Sequence, residues 1–282
     1  MREKTFPLRG YSLPLTPNGR SSLVEPPPWH YGADVLLIFY KADETHVKKH
    51  LPPPLKLGTD PGLAFVWFTE IISVSDSNLH LAFNNPERAQ YKECLLGLKC
   101  EINGADGFFI PYIWVDNDFT LMRGFIQGFP KKLGRIYITR LHELLPKIGG
   151  KKLGAKIKGI CESQGEKIVS GSLKFRRKTT PDAIPKLKFF LMRHFPDIEN
   201  PDKPSVHEIS ESIIENVKFG DVWLGDSELM FGRSDLGGFS SLSPKKILKG
   251  FYFSIGFTIS GGRILHRYKK SFICDSEKRL SG

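Results

Sequence analysis

A chain of 282 residues that is 40% apolar and carries 21 phenylalanines can bury a sizeable core, which excludes a disordered or fibrous chain. Its 41 Lys and Arg against 30 Asp and Glu leave a net charge of +11, yet the basic residues are spread along the whole sequence, so no nucleic-acid partner is expected. No apolar run approaches the length of a membrane span, the first twenty residues lack an apolar signal-peptide core, and Cys94, Cys100, Cys161 and Cys274 form no C-x-x-C, so a reduced, cytoplasmic setting is the expectation.

In chain order, residues 1–28 are rich in Pro, Gly, Arg and Ser and close on Glu25-Pro26-Pro27-Pro28. They read as an extended arm over 1–24 leading into a domain that starts at 25. The run DVLLIFYK at 34–41 is too continuously apolar for a half-exposed strand and fits a buried one. Residues 43–50 form a short helix candidate, stopped by Pro52-Pro53-Pro54. Strands are expected at 62–71, 91–102, 107–115 and 119–126. Further ones follow at 135–139, 154–161, 167–176, 186–193, 206–218, 221–231 and 248–259. Turn signals such as Asn103-Gly104, Gly149-Gly150 and Gly237-Gly238 fall between them. Residues 263–282 are basic and polar and read as a tail. Many short strands with few helical patterns make a mainly β (α+β) chain, an antiparallel sandwich or barrel spanning 25–262.

Most nucleophile and cofactor signatures are absent: there is no G-x-S-x-G, no phosphate-binding G-x-x-x-x-G-K, and no G-x-G-x-x-G after a strand. His46 and His50 have a metal-compatible spacing, but no third ligand is near and Lys48-Lys49 lies between them, so a solvated helix face is the better reading and no metal is expected.

The distinctive segment is Phe129-Pro130-Lys131-Lys132-Leu133-Gly134. A Lys-Lys pair alone says little, since it recurs at 48–49, 151–152, 245–246 and 269–270, and KKLG itself recurs at 151–154. Context separates the copies. Lys131 follows FTLMRGFIQGF, which offers an ammonium almost no partner, whereas the second copy lies among Lys156 and Lys158. Alternation along a strand puts Phe129, Lys131 and Leu133 on one face and Lys132 on the other. A lysine on an apolar inward face is desolvated, its pKa falls, and the neutral amine becomes a nucleophile for a carbonyl.

FPKKLG at 129–134 resembles the active-site segment of the acetoacetate decarboxylase family, in which the first lysine of PKKLG forms a Schiff base. Residues 43–55 ending in PPPL, Tyr91-Lys92-Glu93, Asp116-Asn117, and 219–224 followed by DSELMFGRSDLGGFSSLSP extend the similarity from about residue 25 to about residue 268. The resemblance implies a closed antiparallel barrel or cone with an apolar interior and a few short helices, assembled as a homo-oligomer and working without a cofactor. It implies catalytic Lys131 and Glu93, with Lys132 as a cationic neighbour and Phe129 and Leu133 as flanks. The family's arginine before the first strand aligns with Ala33, and a glutamate early in the second strand aligns with Val66. Arg123 is therefore the candidate for meeting a substrate carboxylate. The expected activity is that of a Schiff-base lyase acting on a small keto acid or other carbonyl compound, by decarboxylation or by related aldol or dehydration chemistry. A non-catalytic barrel that binds a small carbonyl or apolar ligand is the alternative.

Overall fold

In the computed structural model, whose described residues are 7–269 other than 146, 148 and 233–237, the chain is mostly strand. The elements in order are β1 (Trp29–Lys41), α1 (Glu44–His50), β2 (Lys56–Leu57), β3 (Leu63–Ser75), α2 (Leu81–Asn84), β4 (Gln90–Ile102), β5 (Ala105–Val115) and α3 (Asp118–Gln127). They continue with β6 (Lys131–Leu133), β7 (Arg135–Ile138), β8 (Lys156–Ser163), β9 (Glu166–Thr179), β10 (Phe189–Pro196), β11 (Pro204–Phe231) and β12 (Lys246–Arg267).

Seven strands form a closed ring in the order β10, β5, β4, β3, β1, β12, β11, and β11 pairs back onto β10. The ring is antiparallel except between β10 and β5, where Phe189 and Phe190 run parallel to Phe108 and Phe109. The long strand β11 belongs to two layers. Its first residues pair with β10, and its last ten pair antiparallel with β9, from which β8 and β7 continue. β7 then returns against β3, β4 and β5, so the second layer covers one flank of the ring.

This double cover explains the continuous apolar run of β1. Val35, Leu37 and Phe39 point into one buried cluster, while Leu36, Ile38 and Tyr40 point into the other, between ring and outer layer. Alternation still operates, with both faces dry. Phe68 of β3 shows how closely the layers meet. A Cβ built on Gly159 would lie 2.3 Å from its ring, and one on Gly171 would lie 3.1 Å away. These two glycines are register partners on β8 and β9, and together they make a groove that only hydrogen-bearing Cα atoms leave open.

Several expectations shift. Residues 119–126 are helical rather than a strand. Asn117 caps the helix by accepting from the Phe119 N–H, Asp118 occupies the first turn, and Gly128 ends it at φ 102°. The buried set Phe119, Thr120, Arg123 and Gly124 has helical spacing, which the apolar run concealed. The expected strands 206–218 and 221–231 are one bulged strand, β11. β12 continues to Arg267, past the position expected for the start of the tail. Residues 270–282, Cys274 among them, and the stretch 233–237 with Gly237 of the Gly-Gly turn lie outside the described residues. The arm bends back onto the ring: Val24 is buried beside Trp29, and the Ser12 hydroxyl accepts from the Val24 N–H at 2.9 Å.

Gly159→Val should destabilise the chain by about 1–3 kcal/mol or more, because the added methyls meet the immobile Phe68 ring. Denaturant unfolding would check it, and the double variant Gly159→Val/Phe68→Leu should recover part of the loss.

Candidate active site

On β4, alternation turns Tyr91 and Glu93 toward the inside of the ring and Cys94 toward the outer layer. Glu93 stands between its register partners Thr69 on β3 and Val115 on β5. Lys131 opens the three-residue strand β6, which pairs parallel with β5 at Ile113. α3 delivers the chain to that point. Its residues Thr120 and Gly124, one turn apart, face the Lys131 side chain.

The result is a buried amine–carboxylate pair. Lys131 Nζ lies 3.0 Å from Glu93 Oε2 and donates to Thr120 Oγ1 at 2.7 Å. Lys131 is 7% exposed, Glu93 5% and Thr120 0%. The Tyr91 and Phe129 ring centroids stand 5.2 and 5.7 Å from Nζ. A Cβ on Gly124 would come within 2.5 Å of Lys131 Cδ, so the bare helix backbone fixes the path of the lysine stem. Burial holds the Lys131 pKa below the usual lysine range; the Glu93 carboxylate opposes the shift and the Arg123 charge reinforces it.

The pair opens into a cavity of about 630 Å³, walled by Tyr31, Ala33 and Val35 of β1, by Trp67, Thr69 and Ile71 of β3, and by β11, β12 and the 181–189 segment beyond. Phe129 lines it beside the amine. Burial pushes the Tyr91 and Tyr31 phenols above their ordinary values, so both present neutral hydroxyl groups.

Not every expected residue joins this group. Lys132 is exposed on the outer side of β6 and is not among the groups that move the Lys131 pKa. Leu133 does not share the face of Lys131: it is 58% exposed. β6 is only three residues long and ends at Leu133, and Gly134 packs immediately against the Trp114 side chain and the Glu162 carbonyl, so alternation does not carry the Leu133 side chain inward. Arg123 is buried but does not line the cavity. Its guanidinium carbon lies 5.0–5.7 Å from the ring centroids of Trp29, Tyr31, Tyr91 and Phe119, and it donates to Ser73 Oγ at 3.1 Å and to the Tyr91 hydroxyl at 3.4 Å. An arginine so enclosed is not placed to meet a carboxylate in the cavity.

Ala33 does face the cavity, from within β1. Val66 does not; it packs in the cluster between ring and outer layer, and Trp67 and Thr69 are its cavity-facing neighbours. A glutamate aligned with Val66 would therefore point away from Lys131. Thr120, Gly124 and Thr69 were missed by the sequence reading. Recognising the Asn117-Asp118 cap would have placed the first two on one helix face. His46 and His50 turn their Nδ1 atoms to the backbone carbonyls of Ser241 and His46, at 2.9 and 2.8 Å. Among the described residues no three His, Cys, Asp or Glu side chains gather as metal ligands.

The model of the acetoacetate decarboxylase (ADC) family matches residues 12–269. The chain belongs to that family. It is 22% identical over 234 residues to an acetoacetate decarboxylase from Clostridium botulinum, covering 83% of this chain and 86% of that protein. Among solved structures it resembles the enduracididine biosynthesis enzyme MppR, in complex with the condensation product of pyruvate and imidazole 4-carboxaldehyde, at 32% identity, with a TM-score of 0.86 and coverage of 95% and 100%. An acetoacetate decarboxylase-like enzyme from Sphingomonas wittichii RW1 is 29% identical, with a TM-score of 0.86 and coverage of 92% and 100%.

The electrostatics predict opposite displacements in two variants. The rate at which a small acylating reagent modifies Lys131 rises with pH as the ammonium loses its proton. Glu93→Gln removes the charge that favours the ammonium, so the rise should move to lower pH. Arg123→Met removes the charge that disfavours it, so the rise should move to higher pH. Quantitative mass mapping of Lys131 across pH checks both signs.

Proposed function

We propose that the chain is an imine-forming lyase acting on a keto acid, with Lys131 as the nucleophile and Glu93 as the proton carrier. The observation that carries this reading is the 3.0 Å Lys131–Glu93 pair at the wall of an apolar cavity. The neutral amine adds to the ketone carbonyl, and loss of water gives a protonated imine. That cation draws in electrons from a bond on the adjacent carbon. In a β-keto acid the bond is C–C and carbon dioxide leaves; in a 2-oxo acid it is C–H and Glu93 takes the proton. Either way an enamine results. Its carbon takes a proton, or attacks the carbonyl carbon of a second molecule, and water then releases the product and restores the amine.

One observation favours the 2-oxo acid branch: MppR, at 32% identity to this chain, has been solved with pyruvate. Among the described residues no arginine lines the cavity, Ala33 standing at the position the resemblance gives to one, so a substrate carboxylate of either branch meets no guanidinium there. The reading includes a homo-oligomeric enzyme that needs no cofactor, as family resemblance implies, in the cytoplasmic setting expected from the cysteine pattern.

Borohydride reduction in the presence of pyruvate should add the reduced pyruvate fragment to Lys131, found by mass mapping, and Lys131→Ala should abolish the adduct. Pyruvate bound without any reducible adduct would leave a ligand-binding protein instead of an enzyme of this kind. Carbon dioxide release from acetoacetate should be slow or absent, since a missing charged hydrogen bond in a closed site costs about 2–4 kcal/mol, or roughly thirty- to a thousand-fold in rate. Release at the rate of an authentic decarboxylase would refute that part. Gly124→Ala should lower the rate of adduct formation at least about tenfold while the unfolding transition stays cooperative, because the new methyl displaces the Lys131 stem and the amine with it.

A further inference from the structure

The wall of the cavity that lies away from the amine has no part in the imine chemistry. From Glu93 on β4 the register runs to Thr69 on β3, Val35 on β1 and Phe253 on β12, each the partner of the next. With strands about 4.8 Å apart, these three steps carry the wall roughly 14 Å around the ring from the carboxylate. Past Thr69 every residue of that row is apolar. The neighbouring row, from Ile71 through Ala33 and Ile255 to Phe219, is apolar throughout and also lines the cavity.

Past Thr69 the two apolar rows carry no charge; elsewhere on the lining away from the amine, Glu211 and Ser212 of β11 are buried polar residues, and the other charges lie toward the opening. Asp182 and Lys186 are exposed on the 181–189 segment, and Lys188 is held by Glu211 at 3.0 Å. The space is also larger than a keto-acid head requires. At about 30 Å³ per water, 630 Å³ is room for roughly twenty waters, whereas pyruvate, with only six heavy atoms, fills a small part of it. Protein interiors are ordinarily packed to crystal density, so an apolar chamber of this extent is a built recess rather than a packing fault.

We infer that the carbonyl compound taken at Lys131 carries an extended apolar substituent, an alkyl chain or aryl group of roughly six to ten carbons, lying along β1, β12 and β11. This rests on the imine reading for the position of the carbonyl end. The apolar wall releases water to the bulk when the substituent enters, and each buried methylene strengthens binding by about three- to fourfold.

The experiment is a chain-length series on the full protein: pyruvate, 2-oxobutyrate, 2-oxohexanoate, 2-oxooctanoate and 2-oxodecanoate. Two readouts are taken, the concentration giving half-maximal borohydride trapping on Lys131 and the Kd by calorimetry without borohydride. The expected result is a fall in both of about threefold per methylene as far as 2-oxooctanoate, roughly two-hundredfold over the five methylenes. A flat or rising trend overturns the inference while leaving the imine reading intact, provided pyruvate still traps. No adduct with any acid refutes the imine reading, and the calorimetric trend then decides the chamber by itself. Ile255→Asp supplies the control for non-specific hydrophobic binding: it should lower the ratio of 2-oxooctanoate to pyruvate affinity at least tenfold. An unchanged ratio places the chain elsewhere and overturns the inference.

Discussion

A primary amine and a carboxylate held 3.0 Å apart, both nearly shut off from water, set the terms for everything around them. Each ion alone would lose several kcal/mol of hydration on burial, and their attraction in a low dielectric offsets that loss only where geometry and further hydrogen bonds are good. Here the geometry is good and the further bonds are few: Thr120 supplies one acceptor, and aromatic faces supply the rest of the lysine's surroundings. The balance leaves the lysine pKa lowered despite the carboxylate beside it, which means that burial outweighs the pair's own attraction. The ammonium–carboxylate form and the amine–carboxylic acid form differ only in where one proton resides. A site of this kind holds a nucleophile and a proton acceptor ready in one small volume.

Such a pair must be held from outside, because neither group gains enough from the other to fix its own position. The fold does so through backbone rather than through a web of polar side chains. Gly124 brings the α3 backbone against the lysine stem, and β6 is locked by parallel pairing to β5. Glu93 is clamped in register between β3 and β5. The ring itself is stiffened from behind by the outer layer, in which the paired glycines Gly159 and Gly171 admit the Phe68 ring. The neighbours of Phe68 along β3, Trp67 and Thr69, line the cavity. Packing between the layers and the shape of the site are therefore properties of the same strand.

This arrangement also explains what the sequence disclosed and what it hid. The double-sided burial of β1 was readable from an unbroken apolar run, and the burial of Lys131 from the apolar segment that precedes it. Both signals are local. Glu93 was singled out only by the family resemblance of Tyr91-Lys92-Glu93, and it lies 3.0 Å from Lys131 at the cavity wall. The failures are of two kinds. In α3, apolar content overrode the cap residues Asn117 and Gly128, and with the helix went Thr120 and Gly124. At Val66 and Leu133 the strand was recognised but the face was not. A shift of one residue exchanges the two faces of a strand, and Val66 is one residue from the cavity-facing Trp67. Leu133 fails for a different reason, since alternation holds only as long as the strand does, and β6 ends there.

Arg123 illustrates how much the location of a charge matters relative to its presence. A guanidinium inside the cavity would pair with a substrate carboxylate and bind it in ground state and transition state alike. Behind Tyr31 and Tyr91 the same charge has no access to a ligand. It meets aromatic faces and two hydroxyl oxygens, and among the described residues no carboxylate lies within ion-pair distance of it. Its field still crosses the tyrosine wall, because little water stands between to screen it, and that field disfavours the Lys131 ammonium. The aromatic cage makes this tolerable, since ring faces stabilise a cation without a counter-charge that would cancel the field. A cation at position 33 would have narrowed the cavity; placed behind the wall, it favours the neutral form of Lys131 and leaves the rows from Val35 and Ala33 apolar.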